Sequence, residues 1–283
     1  MENIIELKNI SKTYYQGKKE IAALKDFSIS VPKNGFVSVM GPSGCGKSTV
    51  TKIMAGIENI QEGQVTIDQQ DHSNGIPREV KKRIGYVFQW HNLAEWRTVE
   101  KNLFFPLELF GCKKDSDWMR RSEKYLSLVG LLEYRNIYPH ELSGGMKQRV
   151  GIARALMMEP DILILDQPFG ALDAITRKTI AALISKLVWD EGKTVVMVTS
   201  NVDEAIQYSD QICIMNAEGR TDSVINVDLL QEDREVPDFW LLEKNLSLKK
   251  DVINVLNKNK TSEIRQEGLL TAVKGNFTNE AIH

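Results

Sequence analysis

Short apolar runs that alternate with helical stretches, a glycine-rich loop between one such run and a helix, and an aliphatic run ending on aspartate predict an α/β fold with a mostly parallel sheet. Residues 36–40, 84–88, 162–165, 194–198 and 212–215 read as strands. Near-continuous apolar runs of this length suit a sheet buried on both faces. Between them, 49–54, 146–158 and 174–189 read as helices, which gives the βα alternation of a P-loop nucleotidase.

The glycine-rich loop is Gly41-Pro42-Ser43-Gly44-Cys45-Gly46-Lys47-Ser48. It matches the phosphate-loop pattern between strand and helix, and this order argues against an ordinary glycine turn. Glycines let backbone N–H groups wrap phosphates, Lys47 offers a point charge, and Ser48 offers a hydroxyl to Mg²⁺, with Thr49 following in the first helical turn. The aliphatic run Ile162-Leu163-Ile164-Leu165 ends on Asp166. A carboxylate there lies where open α/β sheets bind ligands. Alone it is as readily a turn residue or helix cap; beside a phosphate loop it reads as a second Mg²⁺ group.

Length and composition bound the rest. With 283 residues, 42% of them hydrophobic, the chain can bury a full core as one large or two modest domains. A net charge of −2 gives no overall basic field, so no nucleic-acid partner is expected and any phosphate site must be local. No apolar run approaches the ~18–20 residues of a membrane span, and the N-terminus lacks a leader pattern. A cytoplasmic location follows as an expectation. Cys45, Cys112 and Cys213 show no CxxC spacing, which fits a reducing compartment. The polar, Lys- and Glu-rich stretch 100–135 reads as the centre of an inserted helical subdomain of about 90–150. A further helix is expected over 236–258, followed by a polar, aperiodic tail over 259–283.

The run Leu142-Ser143-Gly144-Gly145-Met146-Lys147-Gln148-Arg149 matches the signature of ATP-binding cassette proteins, and over roughly residues 4–225 the chain resembles a cassette ATPase. The resemblance implies an ATP-driven transporter subunit. It implies an ATPase domain over 1–225 with an antiparallel β subdomain, and a C-terminal helix and tail over 226–283. Tyr14 takes the place of the adenine-stacking aromatic, Gln89 that of the Q-loop glutamine and Mg²⁺ ligand, and Ala171-Leu172-Asp173 that of the D-loop. A helix N-terminus at Ser143, Gly144 and Gly145 suits a phosphate. The resemblance also implies two cassettes packed head to tail, each ATP held between one phosphate loop and the opposite signature. Two membrane permease subunits and, indirectly, a substrate-binding protein complete the expected assembly on the inner face of the membrane.

The segment after Gln89 carries Trp90 and Trp96 and resembles the region that couples to membrane subunits; for Trp96 a core and a surface role are equally open. Trp96-Arg97-Thr98-Val99, 168–173 and Thr176-Arg177 resemble the nitrate, sulfonate, taurine and bicarbonate importer group. Two positions depart from the family. Glutamate normally follows the Walker B aspartate, and here Gln167 stands there; the switch histidine is replaced by Ser200, before Asn201. An amide takes no proton, and losing a general base costs ~10²–10⁴ in rate. The site is therefore expected to bind ATP and hydrolyse it poorly. Gln167 reads either as a deliberate ATP-trapping change or as natural loss at one site of a pair; Ser200, a second departure that trapping does not require, favours the latter. A non-transport cassette ATPase and a non-catalytic nucleotide-sensing scaffold are the alternatives. Cys45, beside Lys47 among loop N–H groups, is expected to be a reactive thiolate.

Overall fold

The computed structural model describes residues 2–258 apart from 18, 235–238, 240 and 241. One sheet has six strands: β3 (Phe36–Met40), β6 (Ile84–Val87), β7 (Ile162–Asp166), β8 (Thr194–Val198), β9 (Gln211–Met215) and β10 (Thr221–Asn226). Their order is β10-β9-β3-β8-β7-β6, parallel throughout except for antiparallel β10. Every residue of β3, β7 and β8 is buried, and this explains their unbroken apolar sequences.

The second sheet was legible only through the family resemblance. Its order is β2-β1-β4-β5, all antiparallel, with β1 (Asn3–Gln16), β2 (Lys19–Pro32), β4 (Glu62–Ile67) and β5 (Gln70–Asp71). The β1–β2 register shifts four times along its length. Such bulges break the period of two by which strands are read from sequence.

Helix α1 (Lys47–Met54) follows the phosphate loop, and the short α2 (Arg78–Lys81) precedes β6. Between β6 and β7 stand α3 (Val99–Leu109), α4 (Ser116–Leu128) and α5 (Gly144–Leu156). Their starts are chemically marked: Thr98 accepts from Lys101 N, Asp115 from Asp117 N and Ser143 from Met146 N. The Ser143 cap starts α5 two residues earlier than the apolar periodicity suggests. Helix α6 (Ala174–Trp189) lies between β7 and β8, α7 (Val202–Tyr208) between β8 and β9, and α8 (Gln231–Arg234) follows β10. A last helix, α9, spans 243–258; the tail expected over 259–283 lies outside the described residues.

Two large apolar clusters lie on the two faces of the parallel sheet. One joins it to α3, α4, α5 and α6; the other joins it to α1 and the antiparallel sheet. A third, smaller cluster brings Val252 of α9 against Met40, Ala205, Ile206 and Ile214. At ~1.5–3 kcal/mol for each fully buried aliphatic side chain, this packing holds the ends of β3, β7 and β8 as a rigid platform for the loops that follow them.

Candidate nucleotide-binding site

Strand β3 ends at Met40, and the chain turns through the glycine loop into α1. Gly46 caps α1 at φ 96°, and a β-carbon there would stand 2.3 Å from Ala23 O, so only glycine fits. At Gly44, φ 79°, a β-carbon would meet nothing within 4 Å: the loop is tight on its inner side and open on its outer side. Lys47 is buried, and its Nζ donates to Gly41 O at 2.9 Å and Pro42 O at 2.5 Å. The first-turn N–H groups of α1 have no acceptor within the helix, so loop and helix together present donors and a positive charge to one place. Thr49 is buried, and Tyr14, half-buried on β1, reaches it through its hydroxyl.

Cys45 corrects an expectation. Its side chain is 2% exposed, and burial pushes the thiol up despite the charge of Lys47 beside it. Desolvation outweighs the lysine, and Cys45 is a thiol rather than a reactive thiolate.

Asp166 ends β7 with only 4% of its surface exposed, and its Oδ1 has no partner. Burial raises its pKa, opposed by hydrogen bonding from Ser48 and by the charges of Lys52 and Lys47. An unpaired buried carboxylate oxygen beside a serine hydroxyl fits a hard divalent cation, which otherwise takes phosphate and water oxygens. Among the described residues no group of three or more His, Cys, Asp or Glu gathers for a metal; the donor set here is one carboxylate and one hydroxyl. Sequence reasoning passed over Tyr86, whose hydroxyl lies 3.0 Å from Thr51 Oγ1. Burial pushes its phenol far up, and its hydroxyl also reaches Asp166.

Gln167 sits at φ 50° and donates its N–H to Val198 O at 3.0 Å. A non-glycine residue in this region carries strain that marks functional turns. Its Oε1 lies 3.5 Å from Gln89 Nε2. A cleft of about 230 Å³ next to it is lined by Gln167, Arg177, Thr199, Ser200, Asn201 and Glu204 among others. Glu204, unremarked in the sequence, accepts from Thr199 Oγ1 at 2.6 Å and Asn201 Nδ2 at 3.4 Å and faces Arg177 Nε at 3.8 Å. The pattern Asn201-Val202-Asp203-Glu204 is a capping box that signalled it: Asn201 Oδ1 accepts from Asp203 N and Glu204 N.

The signature residues lie against the D-loop. A β-carbon on Gly145 would stand 3.0 Å from Ala171 O, whereas Ser143 and Gly144 open to solvent. Asp173 caps α6, accepting from Ile175 N at 3.1 Å and Thr176 N at 3.0 Å, and these bonds hold its carboxyl below the usual range. Trp90 and Trp96 are 74% and 79% exposed, which settles Trp96 as a surface residue.

A strand, glycine loop and helix facing a strand-end carboxylate define a P-loop nucleotide-binding domain. The chain belongs to the ABC transporter family, whose model matches residues 24–170. It is 38% identical over 255 residues to an uncharacterized ABC transporter ATP-binding protein of Methanocaldococcus jannaschii, MJ0412, covering 89% of this chain and 91% of that one. It is 41% identical over 241 residues to the aliphatic sulfonates import ATP-binding protein SsuB of Bacillus licheniformis, covering 83% and 89%. A solved structure of the cassette MJ0796, a dimer bound to ADP and Pi, matches with a TM-score of 0.74 and 35% identity over 80% of this chain and 100% of that one. Like these relatives, the chain is a transporter's ATP-binding subunit, and among its described residues no helix is long and apolar enough to cross a membrane.

Proposed function

We propose that this chain is the energy-coupling subunit of an importer, and that its own site binds Mg·ATP but hydrolyses it slowly. The observation that carries the second half is the surroundings of Gln167. The residue after Asp166 is an amide facing the Gln89 amide, and Glu204, the carboxylate lining the neighbouring cleft, is committed to Thr199, Asn201 and Arg177. Ser200 is too short to reach a γ-phosphate as an imidazole would. No group is left free to take water's proton, at a cost of ~10²–10⁴ in rate, while the groups that bind nucleotide are intact.

In this reading the loop N–H groups from Gly41 to Gly46 and Lys47 hold the phosphates, Tyr14 stacks on the adenine, and Ser48, Asp166 and Gln89 hold Mg²⁺. When bound, the metal would neutralise phosphate charge. Ser143, Gly144 and Gly145, at the N-terminus of α5, suit the γ-phosphate of ATP held by a second cassette, with Asp173 ordering the adjoining D-loop. The exposed Trp90 and Trp96 suit docking to one of two permease subunits, with a substrate-binding protein delivering cargo from the other side. The names of the Bacillus relatives support import as the direction.

The test separates binding from turnover. The isolated chain should bind Mg·ATP and turn over at a rate ~10²–10⁴ below a glutamate-bearing cassette. In a complex with a second, intact cassette, Ser143→Arg here should abolish the remaining activity by blocking the partner's site. An unchanged rate with Ser143→Arg overturns the shared-site reading. A native chain as fast as intact cassettes overturns the hydrolytic defect.

A further inference from the structure

We propose that the cleft between α9 and the phosphate loop receives Ile175 of a second copy of this chain, so that the C-terminal helix forms part of the cassette dimer interface. The inference rests on the head-to-tail dimer proposed above and adds to it an element outside the nucleotide motifs.

Helix α9 is firmly attached. Val252 and Asn245 are fully buried, Asn245 Nδ2 donates to Phe239 O at 2.7 Å, and Lys249 Nζ pairs with Asp203 Oδ1 at 2.6 Å on α7. The opposite edge of α9 does not close onto the loop. Ile253, Leu256 and Asn257 form one wall of a cleft of about 320 Å³ whose other wall is Met40, Gly41, Pro42 and Ser43, with Ser200 and Val202 between them. A mainly aliphatic slot thus runs along the phosphate loop itself.

The complementary feature lies elsewhere on the same chain. Ile175, two residues past the D-loop Asp173, is 81% exposed, more than any other large apolar side chain among the described residues. Gly145 packs on Ala171, so the signature and the D-loop move as one body. Whatever brings a signature to the opposite phosphate loop therefore brings Ile175 to the same place. A two-fold dimer makes the contact self-complementary, with each copy supplying one Ile175 and one cleft. The contact then occurs twice, and loss of one side chain is felt twice.

The test uses the full chain with Mg·ATP, its slow hydrolysis preserving the bound state, and reads dimer formation by sedimentation. The native chain should dimerise. Ile175→Asp should raise the apparent dimer Kd by roughly tenfold or more with ATP binding and melting temperature unchanged, since the position is exposed in the monomer. The pair Ile175→Cys and Leu256→Cys should form an intermolecular disulfide under mild oxidation with ATP, a bond that requires β-carbons about 3.5–4.5 Å apart; each single variant controls for Cys45, Cys112 and Cys213. If Ser143→Arg breaks the dimer but Ile175→Asp does not and no cross-link forms, this inference fails and the cassette dimer stands. If Ser143→Arg leaves the dimer intact, the head-to-tail reading has failed and this one with it. A native chain that stays monomeric overturns the choice of a second copy as occupant.

Discussion

His91 Nδ1 lies 2.8 Å from Gln148 Oε1, which ties the segment after Gln89 to the helix that begins at the signature. Arg154 adds a second tie, donating to Asn92 O at 2.7 Å and His91 O at 2.9 Å; burial lowers its pKa to about 10. Residues facing a permease are thereby joined to residues facing the second cassette. Replacing His91 with alanine leaves the 2%-exposed Gln148 amide without its partner, a loss of about 1–3 kcal/mol. The melting temperature should fall by about 2–4 °C per kcal/mol for a chain of this size, and less transport should accompany each ATP consumed. Thermal melts together with transport-to-ATPase ratios in vesicles check both; an unchanged ratio would remove this tie from the coupling path.

The parts of the molecule visible in its sequence are those with strong local signals. Strands β3 and β8 and helix α6 were read with the boundaries they have, because full burial leaves unbroken apolar runs and Asp173 caps α6. The phosphate loop was legible because its chemistry is contiguous. What stayed hidden depends on distant pairing: the bulged strands of the antiparallel sheet, Tyr86 against Thr51, and α9 against the phosphate loop. Cys45 was misread for a related reason. Lys47 is a neighbour in sequence, but the desolvation that outweighs it comes from the core around the loop.

That correction carries its own prediction. A thiol with a raised folded pKa adds stability that is fully present below its unfolded value, ~8.5, and is lost as pH rises through the folded value. Alkylation of Cys45 by iodoacetamide at pH 7.5 should therefore be at least about tenfold slower than that of a free thiol and should climb with pH or denaturant. Mass spectrometry of timed, labelled samples reads it. Rapid labelling of the native protein at neutral pH would contradict the burial assigned here.

Trp90 and Trp96 should behave differently from any core residue. Because both are largely exposed, alanine at either position should change folding stability by no more than about 0.5 kcal/mol. If they anchor a permease, each replacement should cost ~2 kcal/mol in assembly, roughly 30-fold in affinity, with ATP affinity unchanged. Co-purification with the membrane subunits and nucleotide titration give the two readings. Normal assembly of both variants would place the anchor elsewhere.

Restoring the two missing groups tests the hydrolytic defect directly. Gln167→Glu returns a carboxylate to the residue after Asp166, at the turn where Gln167 now faces Gln89 at 3.5 Å. Ser200→His adds an imidazole on the rim of the cleft that already holds Gln167 and Glu204. Glutamate is close in size to the amide it replaces, and Ser200 is exposed, so neither change should disturb the core. The carboxylate supplies a proton acceptor, and the imidazole supplies a donor for charge that develops on the γ-phosphate. Neither alters Lys47, Ser48 or Asp166, so ATP affinity should stay within about threefold, a change of under ~1 kcal/mol. Turnover should rise ~10²–10⁴-fold in the double variant, and less than that in either single one, because groups that act together are not additive. Steady-state ATPase rates of the native chain, both single variants and the double variant, each with the second cassette's own site silenced, decide the matter. A double variant no faster than the native chain would show that the limit on hydrolysis lies in a step other than activating water at this site.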